Sequence, residues 1–261
     1  MDELKNMKIV VTRPRDQADE FVMRLHQRGA VVVRFPVIRI EPLEDTSELD
    51  QALRNLNTYD WLIVTSVNGV EAVWDRFSAL GIPPTFDNVR IAAIGPKTAA
   101  ALEHQSVTPT FVPQEYVAEA ILPGLGELTG RKFLLARADL ARPALAVALR
   151  EAGGEVDDLD CYRTVSEEPD RERFIELQSG ADIVTFTSPS TVDNFVRLLR
   201  EEGFEPTALP GDPIIACIGP ITAARAEKFG FHVDIMPDLY TTEGLIDAMA
   251  TFQHSLKVDV A

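Results

Sequence analysis

The sequence predicts an α/β protein in which two similar halves each contain a parallel sheet. Short apolar runs alternate with segments of helical periodicity along most of the chain, which is the pattern of βαβ units. In addition, the short strand, glycine and helix-start motifs of residues 8–123 occur again in residues 132–245 in the same order, at an offset close to 124 positions. A period this long indicates two related domains, because solenoid repeats span only about 20–50 residues.

The first elements occur in matching pairs. A strand is predicted at Lys8–Arg13, and its counterpart is predicted at Lys132–Arg137. The helix after the first strand should stop before Gly29, and the helix after the second should stop before Gly153. Two extended stretches without a helical pattern are expected to connect the halves: residues 31–40 and 156–165.

Two further strand-to-helix junctions are also repeated. The strand that ends at Ser66 corresponds to the strand that ends at Ser188, and Gly95 corresponds to Gly219. A serine, or a glycine followed by proline, is typical of a helix start, so each junction should begin a helix.

Composition limits the classes of partner. The chain has 261 residues, a net charge of −16 and 46% hydrophobic residues, so a globular core is expected and nucleic-acid or anionic-membrane binding is not. No apolar run approaches the roughly 20 residues of a membrane helix, and no secretory leader is evident, so a cytoplasmic location is expected. The two cysteines, Cys161 and Cys217, lie in apolar strand-like runs and are expected to be buried thiols.

The repeated junctions are the candidate sites for chemistry. Ligands of parallel sheets bind beyond the carboxyl ends of the strands, where helix N-termini attract anions. The alternative for each junction alone is ordinary helix capping. A dinucleotide fingerprint, a Walker A loop and a nucleophile elbow are absent from the sequence, and its four histidines are scattered. Nucleotide transfer and metal catalysis are therefore not expected.

With these residues in view, the chain resembles the uroporphyrinogen-III synthase family from about Lys8 to Met249. The resemblance rests on an ordered set of short motifs rather than on any single one: Thr12-Arg13-Pro14, Thr65-Ser66, Ile94–Ala99, Arg137 with Arg142, Cys161–Thr164, Phe186–Ser190 and Ile218–Ala223. Ala138 and Ile221 depart from it, because the family often has glycine and threonine at these positions.

The resemblance implies two flavodoxin-like parallel-sheet domains joined by a two-stranded linker. Residues 1–36 and about 167–261 would form a discontinuous first domain, and residues 40–162 would form the second. The linkers would lie at about 36–40 and 162–166. The matched junctions would then face a shared cleft.

The resemblance also implies an enzyme without a cofactor or a metal. Members of the family close the linear tetrapyrrole hydroxymethylbilane to uroporphyrinogen III, with loss of water and inversion of ring D, in heme biosynthesis. The partner would be this small molecule, with no nucleic acid and no membrane, and a monomer is expected. The rival hypothesis is a non-catalytic two-domain protein that binds a tetrapyrrole or small anion, or a regulatory protein.

Tyr162 matches the family tyrosine proposed as the proton donor, and the alternative is that this aromatic side chain packs one domain against the other. Three arginines could bind substrate carboxylates, and each could equally form a structural ion pair: Arg13, Arg137 and Arg142. The remaining expected substrate-binding residues are Thr65, Ser66, Gly95, Thr98, Thr187, Ser188, Gly219 and Thr222.

Overall fold

Two units make up the structure, a computed structural model that describes residues 3–113 and 118–259. Unit 1 comprises Met1–Arg39 and Val165–Ala261, and unit 2 comprises Ile40–Thr164. The chain therefore crosses between the units twice, at Arg39–Ile40 and at Thr164–Val165. Both crossings lie in strands.

Strands and helices alternate along the chain. The strands are β1 Lys8–Val11, β2 Val31–Arg34, β3 Ile38–Pro42, β4 Trp61–Val64, β5 Arg90–Ala93, β6 Lys132–Ala138, β7 Glu155–Ser166, β8 Ile183–Phe186 and β9 Ile214–Cys217. The helices are α1 Arg15–Gln27, α2 Ser47–Arg54, α3 Val67–Leu80, α4 Pro96–His104, α5 Ala144–Glu151, α6 Arg171–Gln178, α7 Pro189–Glu201, α8 Pro220–Lys228 and α9 Thr242–Asp259. Short 3-10 helices occupy Leu56–Thr58 and Ala118–Gly124.

The two sheets share one topology. Unit 1 has the strand order β2-β1-β8-β9, and a parallel bridge from Ala216 to Ile235 extends it beyond β9. Unit 2 has the order β3-β7-β6-β4-β5, with the corresponding bridge from Ala92 to Phe111. Without β3, both sheets have the flavodoxin-like strand order. The places of β2, β1, β8 and β9 in unit 1 are taken by β7, β6, β4 and β5 in unit 2. The predicted parallel α/β class is confirmed.

The two extended stretches, residues 31–40 and 156–165, each contain one of the crossings between the units, and most of their residues also belong to the sheets. Residues Val31–Arg34 form β2 and pair in parallel with β1, and Glu155 begins β7, which pairs in parallel with β6. Runs of β-branched residues beside a buried strand satisfy their backbone hydrogen bonds by extending the sheet.

Each sheet is covered by helices on both faces. In β1, Ile9 and Val11 pack against α1 and α9, whereas Val10 joins the core beneath α7 and α8. In β4, Ile63 faces the core that contains α5, and Leu62 faces the core of α2, α3 and α4. Strands buried on both faces explain the continuous apolar runs. Among the described residues, no helix is long and apolar enough to cross a bilayer.

Candidate functional site

The strand order reverses once in each sheet, and ligands of such folds bind at this switch point. In unit 2 it lies between β6 and β4, and in unit 1 it lies between β1 and β8. Six of the candidate residues from the sequence lie at the carboxyl ends of these four strands. They are Arg137 near the end of β6, Thr65 and Ser66 after β4, Arg13 after β1, and Thr187 and Ser188 after β8.

Ser66 and Tyr162 meet at the switch point of unit 2. Ser66 is the N-cap of α3, and its Oγ accepts a hydrogen bond from the backbone N–H of Gly69 at 3.0 Å. The same Oγ lies 3.0 Å from the phenolic oxygen of Tyr162 in β7. The serine therefore caps a helix and fixes the end of the tyrosine side chain.

Tyr162 is only 7% exposed. Burial raises the pKa of its phenol, and hydrogen bonds from Ser66 and Asn68 oppose that shift without cancelling it. The phenol is therefore fully protonated at neutral pH and can act as a hydrogen-bond or proton donor. Tyr162 also packs in the core of α2, α3 and α4, within unit 2.

A β-bulge precedes the tyrosine. Arg137 of β6 pairs with Asp160 of β7, but the next residue, Ala138, pairs with Tyr162, so Cys161 is the extra residue. Cys161 and Tyr162 are consecutive and both are buried in the same core, whereas a regular strand would place them on opposite faces. The bulge thus directs the phenol toward Ser66.

Arg137 forms a structural ion pair. Its guanidinium donates to both carboxylate oxygens of Asp158 in β7, and the two side chains are 11% and 14% exposed. A further N–H donates to the backbone carbonyl of Arg142 at 2.7 Å. The structure thus brings Arg137 and the main chain of Arg142 together and orders the turn after β6.

The second junction of unit 2 starts α4. Gly95 is its N-cap with φ of +86°, a conformation that favours glycine, and Pro96 occupies the first turn. Thr98 is buried, at 4% exposure, within that turn. Thr65 is half-buried between the end of β4 and Ser66.

The junction at Ser188 in unit 1, which corresponds to the junction at Ser66 in unit 2, has a complete capping box. Ser188 Oγ accepts from the backbone N–H of Thr191, and the Thr191 hydroxyl lies 3.3 Å from the backbone N–H of Ser188. Ser188 Oγ also lies 2.9 Å from Ser190 Oγ. Thr187 precedes this cap and is half-buried.

Gly219 caps α8, and the ring of Tyr240 lies directly against it. A Cβ at Gly219 would come within 3.2 Å of this ring, so a larger residue would displace the tyrosine. Thr222 is 3% exposed in the first turn, whereas Ile221 is 38% exposed.

Arg13 folds back over the start of α1. Its guanidinium donates to the Gln17 carbonyl at 3.3 Å and lies 3.4 Å from the Gln17 side-chain oxygen. Burial lowers its pKa, and the charges of Asp16 and Glu20 oppose this shift. Its candidate role toward a carboxylate stays a prediction.

Three residues that contact Tyr162 or Arg137 are not among the residues predicted from the sequence. Asn68 hydrogen-bonds to the Tyr162 phenol, the backbone N–H of Asp139 donates to the Tyr162 carbonyl, and Asp158 is the partner of Arg137. No local signal marks Asp158, because its contact with Arg137 depends on the pairing of β6 with β7, in which Asp160 rather than Asp158 lies opposite Arg137. Within residues 3–113 and 118–259, no group of three acidic, histidine or cysteine side chains could hold a metal ion.

Comparison with known proteins identifies the family. The model of the family described as uroporphyrinogen-III synthase HemD matches residues 19–247. The chain belongs to the uroporphyrinogen-III synthase family. A uroporphyrinogen-III synthase of Synechococcus elongatus is 30% identical over 246 residues, which cover 92% of this chain and 93% of that protein.

Solved uroporphyrinogen-III synthases share the fold. A mutant enzyme from the extremely thermophilic bacterium Thermus thermophilus has a TM-score of 0.65 at 20% identity, over 96% of this chain and 99% of that one. The protein from Helicobacter pylori has a TM-score of 0.60 at 17% identity, over 95% of this chain and 99% of that one. The resemblance inferred from the short motifs is confirmed.

Proposed function

We propose that this chain is an enzyme that closes hydroxymethylbilane to uroporphyrinogen III, with loss of water and inversion of ring D. The observation that carries the proposal is the family match over residues 19–247, supported by relatives that align along nearly their whole length. The site chemistry agrees, because a protonated phenol at Tyr162 and the helix start at Ser66 offer hydrogen-bond donors to an anionic substrate.

The substrate carries eight carboxylates, and each unit offers groups that bind anions. Helix N-termini present free N–H groups and the positive end of the helix dipole, worth about 0.3–1 kcal/mol each for an exposed anion. The proposed substrate-binding residues are those at or beside these junctions: Arg13, Thr187, Ser188, Gly219 and Thr222 in unit 1, and Thr65, Ser66, Gly95, Thr98, Arg137 and Arg142 in unit 2. This explains how a chain of net charge −16 can bind a polyanion.

Tyr162 is proposed as the proton donor. The bond between the terminal carbon and its hydroxyl breaks as the phenol donates a proton, so that water leaves and a cation remains on the tetrapyrrole. Attack by the substituted carbon of ring D, followed by fragmentation and reclosure, gives the inverted ring. The proton lost when the last pyrrole regains aromaticity restores the phenol, so the overall change is the loss of one water.

Positioning dominates this chemistry, since the same substrate closes spontaneously to the uninverted type I isomer. Holding the reacting carbon atoms in one orientation removes most of the entropic cost of the productive closure. Many backbone contacts can share this task.

The test supplies hydroxymethylbilane and quantifies the type III and type I isomers. Type III should dominate with the protein, and type I should dominate in buffer alone. If the protein yields only type I, it is not a synthase, and binding of the substrate without turnover would support the non-catalytic hypothesis instead.

The chain is further proposed to act as a monomer in the cytoplasm. A net charge of −16 disfavours self-association through mutual repulsion and favours an aqueous compartment. Sedimentation or light scattering should give the mass of one chain, and a larger species would contradict this.

A further inference from the structure

Asp139 holds the segment that carries Tyr162 by two hydrogen bonds. Its backbone N–H donates to the carbonyl oxygen of Tyr162 at 3.1 Å. Its carboxylate Oδ1 accepts from the backbone N–H of Thr164 at 3.0 Å. One residue, immediately after β6, thus fixes the main chain at Tyr162 and two residues beyond it.

The amino-terminal side of the tyrosine is held by a different contact. The thiol of Cys161 donates to the backbone carbonyl of Arg137 at 3.2 Å, so the extra residue of the bulge is tied to β6. Gly69 of α3 comes close as well, since a Cβ there would lie 3.3 Å from the Ala136 carbonyl. The helix that presents Ser66 is therefore in close contact with β6, the strand that pairs with the bulged end of β7.

We propose that Asp139 is a positioning residue for the reaction, because it holds the bulged end of β7 so that the Tyr162 phenol stays against Ser66. A bulge leaves the ladder locally incomplete, and the two hydrogen bonds of Asp139 replace the missing pairing. Without its carboxylate, the Thr164 N–H loses its partner and the tyrosine gains freedom. This inference rests on the proposed function, in which Tyr162 donates the proton.

The experiment compares Asp139→Ala with Asp139→Asn. Alanine removes the acceptor, whereas asparagine keeps a carbonyl oxygen at the same place. Asp139→Ala should lower kcat for the type III isomer by on the order of 10- to 100-fold, because a small misplacement of a reacting group is costly. KM should change little, and Asp139→Asn should recover most of the lost rate.

A double-mutant cycle separates positioning from general damage. In a Tyr162→Phe background the phenolic proton is absent, so Asp139→Ala should cost no more than about twofold further. If Asp139→Ala lowers kcat in the Tyr162→Phe background by as much as it does in the wild type, the inference is overturned. An unchanged kcat in the single variant Asp139→Ala would overturn it as well. If Asp139→Ala does not fold, Asp139→Glu, which keeps the charge but displaces the carboxylate by one methylene, enters the same cycle.

Asp234 supplies the matched control. Its backbone N–H donates to the Ile215 carbonyl at 3.0 Å, and its carboxylate accepts from the Ile215 N–H at 2.9 Å, so it clamps β9 in the same way. Asp234→Ala should lower the melting temperature and leave kcat unchanged. A wild-type protein that forms only type I would refute the proposed function. If the wild type forms the type III isomer but the double-mutant cycle shows no coupling between Asp139 and Tyr162, only the role of Asp139 is refuted.

Discussion

Tyr162 and Ser66 are 96 positions apart in the sequence and still share a hydrogen bond of 3.0 Å. Three features bring them together: the cap at the start of α3, the pairing of β7 with β6, and the bulge at Cys161. The type of each residue was visible in the sequence, but their contact depends on all three features at once. A single side chain thus acquires its role from the elements around it.

Replacement of Tyr162 by phenylalanine tests that role. The ring still fills the core, so the protein should fold, but the proton donor is lost. We expect kcat for the type III isomer to fall by about 100-fold or more, in the range of general acid catalysis. Isomer analysis of timed reactions measures this loss, and an unchanged kcat would leave Tyr162 with a packing role only.

Tyr59 offers the matched control for this substitution. It is equally buried, at 6% exposure, and its hydroxyl donates to Asp157 at 2.5 Å, at the start of β4 rather than at its carboxyl end. Tyr59→Phe should lower the free energy of unfolding, because it leaves the Asp157 carboxylate without this donor. The rate of type III formation should stay at the wild-type value.

At the scale of elements, the helix starts were predictable and the strand details were not. Ser66, Ser188, Gly95 and Gly219 begin helices as predicted, because capping is a local property of a few residues. The bulge in β7 depends on the register with β6, a partner that local sequence patterns do not reveal. For the same reason, the sequence predicts that residues 31–40 connect the halves but does not show that Val31–Arg34 pairs with β1.

The capping box of α7 gives a prediction at this scale. Ser188→Ala removes the acceptor of the Thr191 N–H, and we expect a loss of about 1 kcal/mol in the free energy of unfolding. Urea denaturation measures it. Ser188→Asn, which supplies another capping oxygen, should lose much less, and equal losses in both variants would show that the loss does not arise from the capping hydrogen bond.

At the scale of the whole molecule, the hydrophobic cores separate by unit. The described cores of β1 and β8 contain only unit 1 residues, and those of β4 and β6 contain only unit 2 residues. We therefore propose that the two units are the two domains. Both tryptophans of the chain, Trp61 and Trp74, lie in unit 2.

This distribution of tryptophans makes the proposal testable. Tryptophan fluorescence should report unfolding of unit 2, whereas circular dichroism reports both units. Val184→Ala in unit 1 should shift part of the dichroism transition to lower urea and leave the fluorescence midpoint in place. Leu134→Ala is the counterpart in unit 2, and identical shifts of both signals in both variants would indicate one cooperative domain.

Alkaline pH should destabilise the protein. Burial raises the pKa of both thiols, Cys161 and Cys217, to about 12, from an ordinary value of 9.0. Above pH 9 the unfolded chain releases these protons while the folded chain keeps them, so the free energy of unfolding falls as the pH rises. Each thiol contributes a slope of about 1.4 kcal/mol per pH unit, up to its folded pKa.

Urea denaturation between pH 8.5 and 11 measures the slope. Cys217→Ala removes one of the two thiols, so its stability should fall less steeply with pH than that of the wild type. Parallel curves for the two proteins would show that the Cys217 thiol does not titrate differently in the folded and unfolded chains.

The insertion of unit 2 between the two segments of unit 1 has a consequence for synthesis on the ribosome. Strand β1 pairs with β8, yet Ile9 and its partner Ile183 are translated 174 residues apart. At about 5–20 residues per second, roughly 10–35 seconds pass between them. During that interval β1 has an open edge on the side of β8. The apolar face that α7 and α8 cover in the finished fold is also bare, although α1 has already been synthesised. The first strands of the emerging chain are therefore exposed to aggregation, and accessible to chaperones, until the last segment of unit 1 has been made.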